Sequence, residues 1–349
     1  MTKNYGKIFL ILFASGLLAS CSATNLLTLS VTEPAPVHLE SKGKAAGILN
    51  RSLQAPQNEV IDAIDKILSV EGKDFDKDGA HESILGLQNE LTKNNRFSSV
   101  KIIDDSTLKS VGLSVFPAPL PWETVEKIAT ENQVDYLFEL SFYDTDTKVD
   151  YKTATVEKAN VLGIKVPVIE HQATVSTLIK NGWRIYDVRN RNILDEQASN
   201  NVTTAVGRGI NPVKAVEAVL GRKQNVMQLS NTLGADYALK TLPYKIRVSR
   251  DYYVKGTSNF EIGKRRAQTG NWDGAAELWK KELTNKDPEI AGRACYNMAI
   301  INEINGNLDA AVNWAAKSYS DYGDKLALRY LNVLKNRQYK QQQLESQIQ

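Results

Sequence analysis

Gly270-Asn271-Trp272-Asp273-Gly274-Ala275-Ala276 returns 36 residues later as Gly306-Asn307-Leu308-Asp309-Ala310-Ala311-Val312. Residues upstream keep the same step, with Phe260, Ile262 and Gly263 matched in type by Tyr296, Met298 and Ala299. Each unit reads helix, Gly-Asn turn, helix. Glycine suits the turn because the backbone must reverse there in a conformation that a side chain opposes. Asp273 and Asp309 favour the start of the second helix through its dipole. Ala275 and Ala311 are small enough for two helices to close up, while Trp279 and Trp314 supply volume near the contact. From residue 254 onward the alternating patterns of strands stop, so residues 254–349 are expected to be helical.

This stretch resembles the tetratricopeptide repeat. Gly263 and Ala299 stand at the small position of the first helix, Gly270 and Gly306 at the turn, and Ala275 and Ala311 at the small position of the second helix. Pro288 falls one residue late for the proline that closes a unit. Arg266 and Asn302 stand where the family carries a mid-helix aromatic, so the repeat is degenerate. The helix expected from about Asp324 to Tyr339, with Leu326, Leu328, Tyr330, Leu331 and Leu334, reads as a cap. A generic pair of helical hairpins is the plainer alternative. Two such units expose too much core by themselves, since about three are normally needed, so the array is expected to lean on the preceding domain.

Working back, residues 44–253 mix helices and strands. Ala45 to Asn50 reads as a short buried strand. Val60, Ile61, Ile64, Ile67 and Leu68 recur at helical spacing, as do Ile84, Leu85, Leu87 and Leu91 in a helix from about His81 to Thr92. Val100 to Ile103 reads as a strand, and Trp122 to Glu131 as a helix begun by Pro121. Tyr136, Phe138, Leu140 and Phe142 alternate at period two. Thr174 to Ile179 and Trp183 to Asp187 read as strands joined by a Lys180-Asn181-Gly182 hairpin turn. Another strand is expected to begin at Asn192, a long helical region to span Pro212 to Leu242, and a strand to run from Lys245 to Tyr252. The expected fold is an α+β (or α/β) sandwich followed by an all-α tetratricopeptide-like domain.

The N-terminus carries an address. Lys3 and Lys7 precede an apolar run from Ile8 to Phe13 that resumes at Leu17, and small residues follow, as in a secretion signal. The apolar core is shorter than the ~20 residues of a membrane-spanning helix. Leu18-Ala19-Ser20-Cys21 resembles the lipobox of bacterial lipoproteins, which implies cleavage before Cys21, acylation of that cysteine, and anchoring to a membrane by its acyl chains. The alternative is a plain signal peptide with a chance cysteine. The expected order is therefore a signal peptide over residues 1–20, a lipidated tether over 21–43, in which Thr32-Glu33-Pro34-Ala35-Pro36 favours extended backbone and part of which could form a first strand, the α/β domain over 44–253 and the helical domain over 254–349.

Removing Lys3 and Lys7 leaves 41 basic against 40 acidic residues. That balance argues against a nucleic-acid binder and against a purely electrostatic membrane clamp. With Cys21 acylated, Cys295 alone remains, so no internal disulfide is expected; Cys295 reads as a small core residue.

Few motifs carry chemistry. Asp74, Asp76, Asp78 and Gly79 fit the front of a calcium-binding EF-hand loop, but the closing glutamate falls at Leu85 and the nearby acid is Glu82. The competing reading is a polar loop whose Asp78 caps the next helix. Gly207-Arg208-Gly209 before Asn211-Pro212 fits neither a phosphate loop nor a dinucleotide fingerprint. His38, His81 and His171 fit no metal spacing. Asp144 and Asp146 are a carboxylate pair that nothing else marks. Phe116-Pro117-Ala118-Pro119-Leu120-Pro121-Trp122 reads either as a rigid docking segment or, by slight preference, as a loop packed over its own domain. Trp122 and Trp183 are the candidate docking rings, and Trp122, Trp183, Tyr252 and Tyr253 are the rings a glycan site would need.

The layout as a whole is similar to an uncharacterised family of Gram-negative envelope lipoproteins. Segments such as Val134-Asp135-Tyr136-Leu137-Phe138-Glu139-Leu140 and Gly182-Trp183-Arg184-Ile185-Tyr186-Asp187 resemble the periplasmic domain of curli-secretion and penicillin-binding-protein-activator lipoproteins. The resemblance implies a location and a scaffold, not a reaction. The expected function is that of a lipid-anchored, periplasm-facing scaffold or assembly factor, without catalysis or cofactor, holding an envelope protein partner. No acidic cluster follows Cys21, which favours retention on the periplasmic side, with the outer membrane as the expected site. A ligand- or glycan-binding lipoprotein is the second reading, and a hydrolase with an unrecognised site the third.

Overall fold

The computed structural model describes residues 23–52, 74–104, 108, 116–219 and 221–348. Cys21, the leader and the helix expected over Val60 to Leu68 lie outside the described residues. The chain divides into two units, one of residues 35–242 and one joining the residues up to 34 with those from 243 onward.

The 35–242 unit is built on a mixed sheet. Its strands are β2 (Ala45–Asn50), β3 (Ser99–Ile103), β4 (Tyr136–Ala159), β5 (Lys165–Asp187) and β6 (Asn192–Gly209), in the order β3-β2-β4-β5-β6. β2 runs parallel to β3 and β4; β4, β5 and β6 are mutually antiparallel. Helices α1 (Phe75–Thr92) and α4 (Arg222–Leu239) cover one face, closing Ile84, Leu87, Val226 and Tyr237 over Ile48, Phe138, Leu140 and Trp183. Helix α2 (Trp122–Asn132) covers the other, with Val125 and Ile128 against Leu49, Leu137 and Tyr186. The alternation of Tyr136, Phe138 and Leu140 with Leu137 thus sends apolar side chains to both faces. The architecture is α+β. The expected helix over Pro212 to Leu242 is two, α3 (Pro212–Glu217) and α4, parted where Gly221 adopts a φ of 73°.

The expected hairpin at Lys180-Asn181-Gly182 is absent, because those residues lie inside the continuous strand β5. Gly182 is there for close approach. The ring of Phe142 on β4 lies over it, and a Cβ at Gly182 would stand 2.2 Å from Phe142 Cε1. Such glycines in strands mark close contact rather than a turn. The reversal falls instead at residues 160–164.

The other unit pairs β1 (Thr24–Glu33) with β7 (Tyr244–Tyr253), antiparallel, Thr24 opposite Tyr253 and Glu33 opposite Tyr244. Part of the expected tether forms the first strand, Thr24–Glu33, whose Leu27 and Val31 are buried. β7, at the end of the expected 44–253 domain, groups with the helices, since its Tyr252 packs with Phe260 and Trp279. The C-terminal unit is therefore helices plus a β-ribbon rather than all-α.

Its helices are α5 (Ser258–Gln268), α6 (Trp272–Lys281), α7 (Pro288–Ile304), α8 (Leu308–Ser320) and α9 (Lys325–Ile348). Both Gly-Asn turns are built alike. Gly270 and Gly306 take φ of 81° and 76°. Asn271 accepts from the Gly274 amide at 2.9 Å, and Asn307 from the Ala310 amide at 3.1 Å, each capping the second helix of its pair. Gly263 leaves room for the Trp279 ring, and Ala275, Ala299 and Ala311 are fully buried between helices. Trp279 is core, as is Cys295.

One buried carboxylate ties the ribbon to three helical turns. Glu303 on α7 receives both Nε and Nη2 of Arg250 on β7 at 2.9 Å, Arg337 Nη1 on α9 at 2.6 Å and the Tyr330 hydroxyl at 2.5 Å. Burial alone would raise its pKa, but the hydrogen bonds from Arg250, Tyr330 and Arg337 outweigh it and hold the carboxyl below its ordinary value. A depressed folded-state pKa stabilises fully above the unfolded value near 4.5 and ceases to do so as pH falls through the folded one. Glu303→Ala is expected to destabilise this unit by about 3–5 kcal/mol at neutral pH, as loss of one partner of a buried pair does. Glu303→Gln is expected to flatten the decline of stability below pH ~4.5, read by urea unfolding at a series of pH values.

Candidate functional site

Among the described residues, no helix is long and apolar enough to cross a membrane, and no group of three or more His, Cys, Asp or Glu is placed to hold a metal ion. The acids of the calcium reading are not laid out as a loop. Only Asp74 precedes α1, with a φ of 65°, and Asp76 and Asp78 already sit in its first turn. Two residues apart on a helix, their side chains point about 200° from one another and cannot wrap one ion. They serve the fold: Asp76 accepts from Thr145 at 2.7 Å, Asp78 pairs with Lys223 at 2.7 Å, and Glu82 accepts from Asn231 at 3.1 Å.

Asp144 and Asp146 both hold Lys180 on the neighbouring strand. Gly207 and Gly209 close β6 under α3, and Asn211 caps that helix on the Lys214 amide. His38 and His81 are exposed and His171 is half-buried.

The Pro-rich segment is held against its own domain by a second buried carboxylate. Glu139 on β4 is fully enclosed. Its Oε1 receives Arg51 Nη1 and Arg184 Nη1, both at 3.0 Å, and the Ser141 hydroxyl at 2.6 Å; its Oε2 receives the Tyr186 hydroxyl at 2.9 Å. The arginines reach on to the loop. Arg184 Nη2 donates to the Pro117 carbonyl at 2.8 Å and its Nε to Glu196 at 2.5 Å, while Arg51 Nε donates to the Leu108 carbonyl at 3.0 Å. Tyr186 accepts the Leu120 amide at 2.9 Å. Burial, then the Glu139 charge, push the Tyr186 hydroxyl up to about 12, so it stays protonated and donating. The Arg184 guanidinium lies over the Phe116 ring at 4.9 Å.

Trp122 is half-buried, edge-on to Tyr186 at 5.8 Å. Trp183 is buried and stacked on Tyr237 at 5.3 Å, which closes it to any docking partner. Tyr252 is likewise core, and Tyr253 is half-buried against Tyr296 at 5.2 Å. Of the four rings named for a glycan site, Trp183 and Tyr252 are thus core, while Trp122 and Tyr253 are partly open.

Two surfaces of the described 35–242 unit stand out. The first is a polar cleft of about 150 Å³ at the N-terminal ends of β2 and β4, lined by Glu40, Lys44, Asp135, Tyr136, Asp187, Arg189 and Asn190. Asp135 is engaged by Lys44 at 3.3 Å and the Ala45 amide at 2.9 Å; Asp187 is engaged by Asn190 at 2.7 Å. The second is the far end of the β4–β5 hairpin. β6 stops opposite His171, and beyond it β4 and β5 pair only with each other up to Ala159 and Lys165. At ~3.3 Å per residue the bare ribbon projects by ~20 Å. Val161, Leu162 and Ile164 at its tip are 103%, 78% and 57% exposed. Sequence reading missed both this arm and the Glu139 cluster.

A family model described as "Domain of unknown function (DUF8603)" matches residues 44–253, well over half of the chain. The chain belongs to this DUF8603 family. In this DUF8603 protein a second model, "Domain of unknown function (DUF6340)", matches residues 261–336. No curated protein matches it significantly. Solved structures similar to it include the PelC dodecamer from Paraburkholderia phytofirmans, with 12% identity, 62% of this chain and 99% of that chain covered, and a TM-score of 0.25. A putative neuraminyllactose-binding hemagglutinin homolog from Helicobacter pylori has 11% identity, 66% and 92% coverage, and a TM-score of 0.26.

Arg184→Ala leaves Glu139 buried with one arginine and frees the Pro117 carbonyl. It is expected to cost about 3 kcal/mol or more in stability and to move Trp122 toward water, seen as red-shifted tryptophan emission. Burial pushes the Cys295 thiol up to about 11, so a thiol reagent at pH 8 should modify it only after denaturant unfolds the C-terminal unit.

Proposed function

We propose that this chain is a lipid-anchored envelope protein, attached through acylated Cys21 and facing the periplasm from the outer membrane, that holds a protein partner and catalyses nothing. The supporting observation is the duplicated helix–turn–helix of α5–α6 and α7–α8. The same glycine conformation and asparagine cap recur 36 residues apart in it, followed by α9 as a cap. We read this as a degenerate tetratricopeptide-like pair, a class of array that binds proteins along an extended concave face. The leader with Leu18-Ala19-Ser20-Cys21 supports the anchor.

A second reading, a small-ligand-binding lipoprotein, is favoured by the polar cleft, where Lys44 and Arg189 stand with Glu40, Asp135 and Asp187. That mixture of signs suits a zwitterionic solute rather than a glycan stacked on rings.

The test places a benzophenone-bearing residue at Ile262, exposed on α5, in cells making the full chain. Irradiation is expected to give one discrete protein adduct. Cys21→Ser is expected to move the chain from the membrane to the soluble fraction and to weaken that adduct. Membrane retention of Cys21→Ser removes the anchor; loss of any adduct, with a small solute bound in the cleft instead, removes the scaffold.

A further inference from the structure

The hairpin tip from Lys158 to Lys165 has features that a solvent-facing loop does not need. Val161, Leu162 and Ile164 are among the most exposed apolar side chains of the described residues, and they sit together on a convex end. A cluster of this kind on a narrow projection has no wall of its own to close against, and isolated exposure of single residues would be unremarkable whereas a cluster marks a contact.

The backbone of the turn is already satisfied. Asn160 Oδ1 accepts the amides of Leu162 at 2.9 Å and Ile164 at 3.0 Å. The Asn160 amide donates to the Ile164 carbonyl and the Gly163 amide to the Asn160 carbonyl, both at 2.9 Å. Gly163 supplies the left-handed residue, with a φ of 77°. Four of the five amides between residues 160 and 164 are therefore bonded within the turn. That matters in one setting above others, because an apolar medium offers nothing to an open amide and penalises each one.

Within the tip itself the charge has one sign, with Glu157 just before Lys158 and Glu170 just after Ile169. From Lys158 to Ile169 there are two lysines, Lys158 and Lys165, and no acid. Lys158 is exposed while paired at its base with Glu170 at 2.9 Å, and Lys165 is exposed on the other strand. Lysines flanking an apolar end can keep their ammonium groups in water while their stems follow the apolar side chains inward.

We propose that the β4–β5 arm seats its tip in an anionic lipid surface, with Val161, Leu162 and Ile164 entering the boundary of the acyl region and Lys158 and Lys165 staying among the headgroup charges. A bilayer yields around a convex end and covers all three side chains at once, accepts a turn whose amides are closed, and attracts the lysines when its headgroups are negative. This seat is separate from the anchor at Cys21: acylation brings the protein to a membrane but places no demand on the tip.

The test uses the full chain carrying Cys21→Ser and Leu162→Cys, labelled at residue 162 with an environment-sensitive nitrobenzoxadiazole; Cys295 is enclosed and stays unlabelled. Vesicles of phosphatidylcholine with phosphatidylglycerol are expected to shift the emission to the blue and to permit quenching by doxyl groups on the acyl chains, with a weaker response to phosphatidylcholine alone. Adding Val161→Ser and Ile164→Ser is expected to weaken this binding by about tenfold or more, by the apolar area withdrawn. Lys158→Glu with Lys165→Glu is expected to abolish the preference for the anionic vesicles. A probe that stays in water while the chain sediments with vesicles overturns the proposal. So does a blue shift that needs no lipid and grows with protein concentration, which would mark a second copy, or one produced only by a lipid-free protein extract.

Discussion

A carboxylate removed from water must have its acceptor sites filled by the protein, and each unit of this chain is organised around one such group. Glu139 and Glu303 are both enclosed, each bonded to two arginines and one tyrosine. A buried pair of this kind need not exceed the stability of an apolar replacement, yet removing one partner is costly. What it supplies is uniqueness. Arg184 and Arg51 reach the Glu139 carboxylate in one register of β4 against β5, and the same guanidinium groups then fix the Pro117 and Leu108 carbonyls. Arg250 reaches Glu303 only if β7 lies beside α7, which draws β1 into the helical unit as its strand partner.

From that base the long hairpin can project. The inner half of β4 is buried on both faces, and the outer half beyond Asp144 is almost wholly exposed. One pair of strands therefore serves as core and as a free arm.

Legibility in the sequence followed the range of the interactions. The Gly-Asn turns and their helices were readable because capping and 3.6-residue periodicity are local; β2 was found at its own bounds, Ala45–Asn50. The pairing of β1 with β7 joins residues 24–33 to 244–253, and nothing within either segment names the other, so a strand could be expected in the tether but not its partner. The arm was missed for a different reason. Lys152, Glu157, Lys158 and Glu170 break the apolar alternation along it, as expected of a ribbon wet on both faces, so the strands were ended early. Asn181-Gly182 then looked like the turn, although Gly182 is small to admit the Phe142 ring. The Glu139 cluster did leave a signal. A glutamate between Phe138 and Leu140, and an arginine between Trp183 and Ile185, are charges at positions where an apolar strand has no water to offer them, and such residues ask for each other.

We propose that this protein acts through surfaces presented outward, the helical face and the arm, rather than by enclosing a substrate. Hydrogen exchange followed by mass spectrometry on the full chain, free and in the envelope membranes of the cells that make it, addresses that claim most directly. The expected result is slow exchange around Glu139, Arg184 and Glu303 in both samples, with membrane-dependent protection arising in residues 158–169 and along α5 and α7. Protection confined to residues 40–44 and 187–190, the walls of the polar cleft, with the arm and helices unchanged, would contradict it.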